Sequence, residues 1–223
     1  MMLRTKRNIS DYLPAILMTG ALQFFVFEFL VAGSWRGEYS YTDNFISDLG
    51  VPYCGSHGNA PCSASSVLIT MSFVVMGVSF LAAAIWMRAG MRAATAPLVG
   101  SLFMGIAAAG AVVVGLVHSN VNWPLHSLGS SLFLIFGSCS LLTVGLSHNV
   151  APRDVASFLT APLGLLGLVA FFCYVNSWQL GLGPGGIERV SAYSVIVGFA
   201  CGVSVVGRSR FARDRAVTTR TTA

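Results

Sequence analysis

The side chains of this chain that can do chemistry gather in a few short stretches, each bordering a long apolar run. Glu28 lies about one turn inside the end of the first run. The segment that follows carries Trp35, Arg36, Glu38, Tyr39, Tyr41, Asp43, Asn44, Ser47 and Asp48. A later turn reads His118-Ser119-Asn120-Val121-Asn122-Trp123-Pro124-Leu125-His126. A third polar stretch supplies Trp178, Gln179, Glu188 and Arg189. A carboxylate at membrane depth costs roughly 1–3 kcal/mol unless it is paired, protonated or solvated, so Glu28 marks a candidate site. Together these groups point to a polar pocket whose ligand-binding candidates are Glu28, Arg36, Ser47, Asp48, Asn122, His126 and Arg189.

Two kinds of catalysis fit the residue types. His118 and His126 bracket a tight turn, so their rings can converge, and Asp48 can supply a third ligand. Three ligands and a water make a catalytic zinc site, where the polarised water attacks an ester or amide. Asp48, His118 and His126 are therefore the catalytic and metal candidates. The spacing matches no HExxH motif, and we expect no cofactor, with zinc as the alternative. A serine nucleophile beside His126 is the second kind, with Ser127, Ser130 or Ser131 nearby, but serines are common packing residues in membrane helices. For Asp48, the available cationic partners are Arg36 and Arg189. No Walker loop and no GxGxxG stretch is present, which argues against nucleotide chemistry.

The five cysteines divide by position. Cys139, Cys173 and Cys201 lie singly in apolar runs and read as inert small residues. Cys54 and Cys62 share the long polar segment. A disulfide between them is the favoured reading if that segment faces an oxidising compartment, and a metal site with His57 is the alternative.

The elements that position these groups follow from composition. The 223 residues are 55% hydrophobic and 9% charged, against about 25% charged in soluble domains. Six apolar runs are each about long enough to span a hydrocarbon core of about 30 Å. They run from about Tyr12 to Ala32, Ser65 to Met87, Pro97 to Val117, Pro124 to Leu146, Val155 to Val175 and Val190 to Val206. Their continuity argues for helices over the alternating strands of a barrel. The first run follows Arg4, Lys6 and Arg7 but is long and contains Glu28, so it reads as an uncleaved anchor. The fold class is an all-α, six-helix transmembrane bundle over residues 1–207, with a basic, disordered tail at 208–223.

Lys and Arg set the orientation. Eleven of the thirteen fall on one side of the six-span arrangement, and only Arg36 and Arg189 on the other. The positive-inside rule then puts both termini in the cytoplasm of a cell (plasma or inner) membrane and the polar stretches outside. The net charge of +5 reads as topology information, and no nucleic-acid partner is expected. The first outer loop, Gly33 to Ala64, is unusually long. Part of it reads as a short helix capped by Thr42 or Asp43 and ended by Gly50 in the left-handed conformation, lying over the outer mouth as a lid. Gly198 and Gly202 form a GxxxG in helix six, and Gly105, Gly110 and Gly115 line helix three. Such faces let helices approach closely, within the chain or in a homo-oligomer or protein complex.

Asn44-Phe45-Ile46-Ser47-Asp48-Leu49-Gly50 resembles the NxISDLG signature of the prokaryotic membrane family catalogued as domain of unknown function 998. The polar turn with Asn122 and His126, and Gly-Ile-Glu188-Arg189 before the last helix, are also similar to it. The resemblance spans most of the chain and extends distantly to the Frag1/DRAM membrane proteins. It implies a six-helix fold and a site near Ser47, Asp48, His126 and Arg189, and it implies no reaction. The Cys54/His57/Cys62 segment and His118 lie outside the pattern. The expected function is binding of a membrane lipid or other amphiphile at the outer mouth in an accessory role. The alternative is an intramembrane hydrolase, with or without zinc, acting on a lipid headgroup or acyl bond. A small-molecule transporter ranks last, because helices two, three, five and six are almost bare of charge near the midplane.

Overall fold

The computed structural model describes residues 9–54, 60–89, 95–147 and 155–221. Among them, six helices are long and apolar enough to cross a membrane. They are α1 (Ile9–Gly33), α2 (Ser66–Ala89), α3 (Thr95–Leu116), α4 (Trp123–Gly145), α5 (Val155–Val175) and α6 (Gly183–Thr221). At 1.5 Å per residue the shortest apolar span, the 19 residues Leu98–Leu116, about matches a bilayer core.

Successive helices pack side by side, α6 returns against α1 to close the ring, and α4 also touches α6. α6 is the most enclosed span: 72% of its most apolar window is buried, against 28% for α1 and for α5. The buried core is aromatic and aliphatic, with Phe80 stacked on Phe199 at 4.1 Å and Phe24 edge-on to Phe73. Lipid offers little hydrophobic drive for helix association, so close packing has to supply it. Gly198 shows how. A Cβ there would sit 2.3 Å from Leu141 Cδ1 of α4, so the GxxxG stretch of α6 is used inside the bundle.

Five helices begin and end within a few residues of the expected apolar runs. The sixth differs at both ends. It begins at Gly183, seven residues before Val190, and continues to Thr221, beyond the boundary expected after residue 207. The early start has a clear cause. Gly183 has φ +74° and breaks the preceding chain, and Pro184 suits a first helical turn because its missing N–H is unneeded there. Glu188 and Arg189 had looked like loop residues because they are charged, but Arg189 pairs with Glu28 and Glu188 accepts the Ile46 N–H at the end of the bundle.

The loop after α1 crosses the end of the bundle and packs on α1, α2 and α6. Its centre is a 3-10 helix, Ile46–Gly50, that buries Ile46 and Leu49. This lid helix is shorter than expected and differently capped. Asp48 reaches back to accept the Phe45 N–H at 2.9 Å, whereas Asp43 accepts from the Ser40 and Thr42 hydroxyls. Gly50 is not among the residues with positive φ; the Val51 N–H bonds back to Asp48 O and closes the turn. Beyond it, β1 (Tyr53–Cys54) and β2 (Ala60–Pro61) pair antiparallel. Cys54 and Cys62 are joined across them with Cα atoms 6.0 Å apart. A bridge between Trp35 and Ser63 ties this hairpin to the end of α1. His57, the third ligand of the alternative metal reading, lies outside the described residues, as do His148, Arg153 and the last two residues of the tail.

Candidate functional site

At the lid end of the bundle, α1, α6 and the loop between α1 and α2 meet on one guanidinium. Arg189 is 5% exposed and Glu28 2%. Arg189 Nε donates to Glu28 Oε1 at 3.0 Å, the one ion pair among the described residues. Nη1 lies on the carbonyls of Tyr41, Asn44 and Gly185 at 2.8, 2.7 and 3.0 Å. Nη2 donates to the Tyr39 hydroxyl, which in turn donates to Phe45 O. The rings of Tyr39 and Tyr41 flank the guanidinium, with centroids 5.6 and 4.8 Å from Cζ. The second Glu28 oxygen takes the Tyr193 hydroxyl at 2.7 Å. Five acceptor groups hold the guanidinium, so this cluster latches three elements together.

The latch corrects one sequence expectation. Arg189 pairs with Glu28 and not with Asp48. It also shows what was missed. Gly185, Arg189 and Tyr193 recur at every fourth residue, which places them on one stripe of α6. Gly185 lets the loop touch that stripe: a Cβ there would lie 2.1 Å from Asn44 O. Tyr193 was hidden inside an apolar run, although its spacing from Arg189 was the signal that could have found it. Glu188 makes a second tie, accepting the Ile46 N–H at 2.6 Å, where the first turn of the lid helix leaves a donor unsatisfied.

The remaining candidates separate into structural and free groups. Asn122 caps α4 by accepting the Leu125 N–H at 3.1 Å. Arg36 is exposed, and its N–H bonds Cys62 O. His126 is 4% exposed and its Nδ1 lies 2.7 Å from Val117 O. A carbonyl only accepts, so Nδ1 carries the proton and Nε2 is bare when the ring is neutral. His118 Nε2 meets the Thr70 hydroxyl at 3.1 Å. The two rings do converge: both line a cavity of about 10 Å³ with Ser47 and Gly50. A neighbouring cavity of about 20 Å³ joins Ser47, Ser130 and Glu188. Each is about the size of one water. Asp48 lines neither, and among the described residues no three His, Cys, Asp or Glu side chains group closely enough to hold a metal.

Asp48 instead faces a groove of about 630 Å³ between the lid and the α3–α4 turn. Trp35, Asn44, Tyr53, Asn120 and Trp123 are among its other walls. Its volume falls in the range of small-molecule sites. Burial pushes the Asp48 carboxyl above the usual carboxylate range, opposed by the Phe45 N–H and the Asn44 side chain. Burial likewise raises the Tyr39 and Tyr41 hydroxyls. Asp43, held by two hydroxyls at the surface, lies below the usual range.

Comparison with known proteins adds the family. A family model described as "Protein of unknown function (DUF998)" matches residues 18–206, so the chain belongs to that family. No curated protein and no solved structure matches the chain.

Proposed function

We propose that this multi-pass DUF998 membrane protein binds the headgroup of a membrane lipid or other amphiphile in the groove between its lid and the α3–α4 turn. The groove is the observation that carries the reading: about 630 Å³ of space, polar and aromatic in its walls, at the membrane-interface end of the helices. Trp123 is 56% exposed there, which suits a ring that sits at headgroup level. In this reading the lid end faces outward and both termini face the cytoplasm of a cell membrane, an orientation supported by the distribution of Lys and Arg. The role is accessory: the protein holds the amphiphile or presents it to a partner.

Native mass spectrometry of the protein released from membranes tests this. The wild type should retain lipid, and Asn120→Trp, which fills the groove, should lose it at unchanged melting temperature. Equal lipid retention by both would refute the groove as the site.

A hydrolase acting on a lipid headgroup or acyl bond is the second reading. It is favoured by one observation, the bare His126 Nε2 in the cavity shared with Ser47. A cavity of about 10 Å³ admits no acyl group, so this chemistry requires the lid to open. Transport is weakest, because the buried ionic side chains among the described residues, Glu28 and Arg189, are committed to each other at the lid end.

A further inference from the structure

The chemistry of the groove narrows its ligand. Among the described residues, Asp48 is the one formally charged side chain in its wall. It stands without a cationic partner at ion-pair distance among the described residues, since the single ion pair there is Glu28–Arg189. The Asp48 carboxylate takes the Phe45 N–H and a hydrogen bond from the Asn44 side chain, yet an ionised carboxylate offers about four acceptor positions, so capacity remains. Three aromatic residues, Trp35, Tyr53 and Trp123, share the groove wall with it. Tyr53 and Trp123 are 55% and 56% exposed, which leaves much of each ring uncovered. The amide side chains of Asn44 and Asn120 complete the polar part.

A carboxylate among aromatic faces is the combination that recognises an organic cation. The ring quadrupoles attract positive charge and the carboxylate compensates it. An anionic headgroup meets the opposite conditions, because the described residues of the wall include no Lys or Arg and the nearby Arg189 is committed to the latch. A neutral sugar can stack on the rings, but it leaves the Asp48 charge uncompensated. We infer, resting on the reading of this groove as the binding site, that its ligand is an amphiphile or small molecule bearing an organic ammonium group, primary or quaternary.

The test uses the full chain in non-ionic detergent and follows tryptophan fluorescence. The probes are choline, ethanolamine and glycerophosphoethanolamine; the controls are glycerol 3-phosphate and a methyl glucoside. The ammonium probes should bind at least about tenfold more tightly than the controls. Asp48→Asn keeps the acceptor for the Phe45 N–H and should abolish that preference. Trp123→Leu and Tyr53→Leu should each weaken choline several-fold. If the anionic or neutral control binds as well as the amines, or if Asp48→Asn leaves the preference intact, the ammonium assignment is overturned. Lipid retention that still depends on the groove would then leave the broader binding reading standing, whereas loss of both would remove it too. Nanodiscs separate the sources. Phosphatidylethanolamine outcompeting its soluble headgroup identifies a membrane lipid, and equal affinity identifies a soluble amine. Both outcomes support the ammonium class.

Discussion

The Glu28–Arg189 latch should dominate the stability of the lid end. Arg189→Gln removes the donors to Glu28, to three backbone carbonyls and to Tyr39. Glu28 then stays buried with only Tyr193 as partner. Breaking a buried ion pair from one side costs about 3–5 kcal/mol. Glu28→Gln is milder, about 2–3 kcal/mol, because the amide still accepts one hydrogen bond and the carbonyls still surround the guanidinium. At about 2–4 °C per kcal/mol for a chain of this size, Arg189→Gln should lower the melting temperature by about 6–20 °C. The double variant should lose less than the sum of the singles, with a coupling of about 1–3 kcal/mol. Thermal unfolding in nanodiscs measures the order, and hydrogen exchange over residues 41–46 locates the effect. Additive losses, or an Arg189→Gln lid that exchanges no faster than wild type, would refute the latch.

Three further outcomes follow from the same geometry. Gly185→Ala drives a Cβ to 2.1 Å from Asn44 O and should cost about 1–3 kcal/mol, read as faster exchange over the lid with α4 and α5 unaffected. Asp48 has a raised carboxyl in the folded state, so the native protein binds its proton more tightly than the unfolded chain does. Its contribution to stability is present below the unfolded value and falls as pH rises through the folded one. The difference in melting temperature, Asp48→Asn minus wild type, should therefore grow with pH from about 4 upward, and a flat difference would contradict this. Peptide mapping without reductant should recover Cys54 joined to Cys62; free thiols at both positions in protein from intact membranes would reopen the metal reading.

The spans were legible because lipid imposes a simple condition: about 20 apolar residues that satisfy their own backbone. The condition missed the start of α6, where charged side chains find partners at the end of the bundle. The start of α6 was placed too late because Glu188 and Arg189 look like loop residues until Glu28 and the Ile46 N–H are known to meet them. Glu28 was legible as anomalous, but its partner was not. Choosing between Arg36 and Arg189 depends on which helices meet, and that depends on packing spread over the whole bundle. His118 and His126 were correctly expected to converge, yet the sequence could not show that Thr70 and Val117 O occupy one nitrogen of each. The groove itself had no sequence signature. Its walls come from the end of α1, the lid, the hairpin and the α3–α4 turn, and only folding brings these together.

The two charged centres at the lid end divide the work by degree of satisfaction. A charge that serves stability should be extensively bonded, and Arg189 is, with five acceptor groups and two flanking rings. In the proposed reading a charge that serves binding keeps spare acceptor capacity, as Asp48 does, while burial raises its carboxyl. The first makes the second tolerable. The lid is tied down through Glu28, Arg189 and Glu188, so on the proposed reading the Asp48 charge is left for a ligand. This predicts opposite signs for two conservative neutralisations in the ligand-free protein. Glu28→Gln should destabilise at pH 7, whereas Asp48→Asn should be neutral or stabilising and should lose only the extra stability that bound ammonium confers. If Asp48→Asn instead collapses the lid as Arg189→Gln does, Asp48 belongs to the latch, and the groove has no free carboxylate to offer a cation.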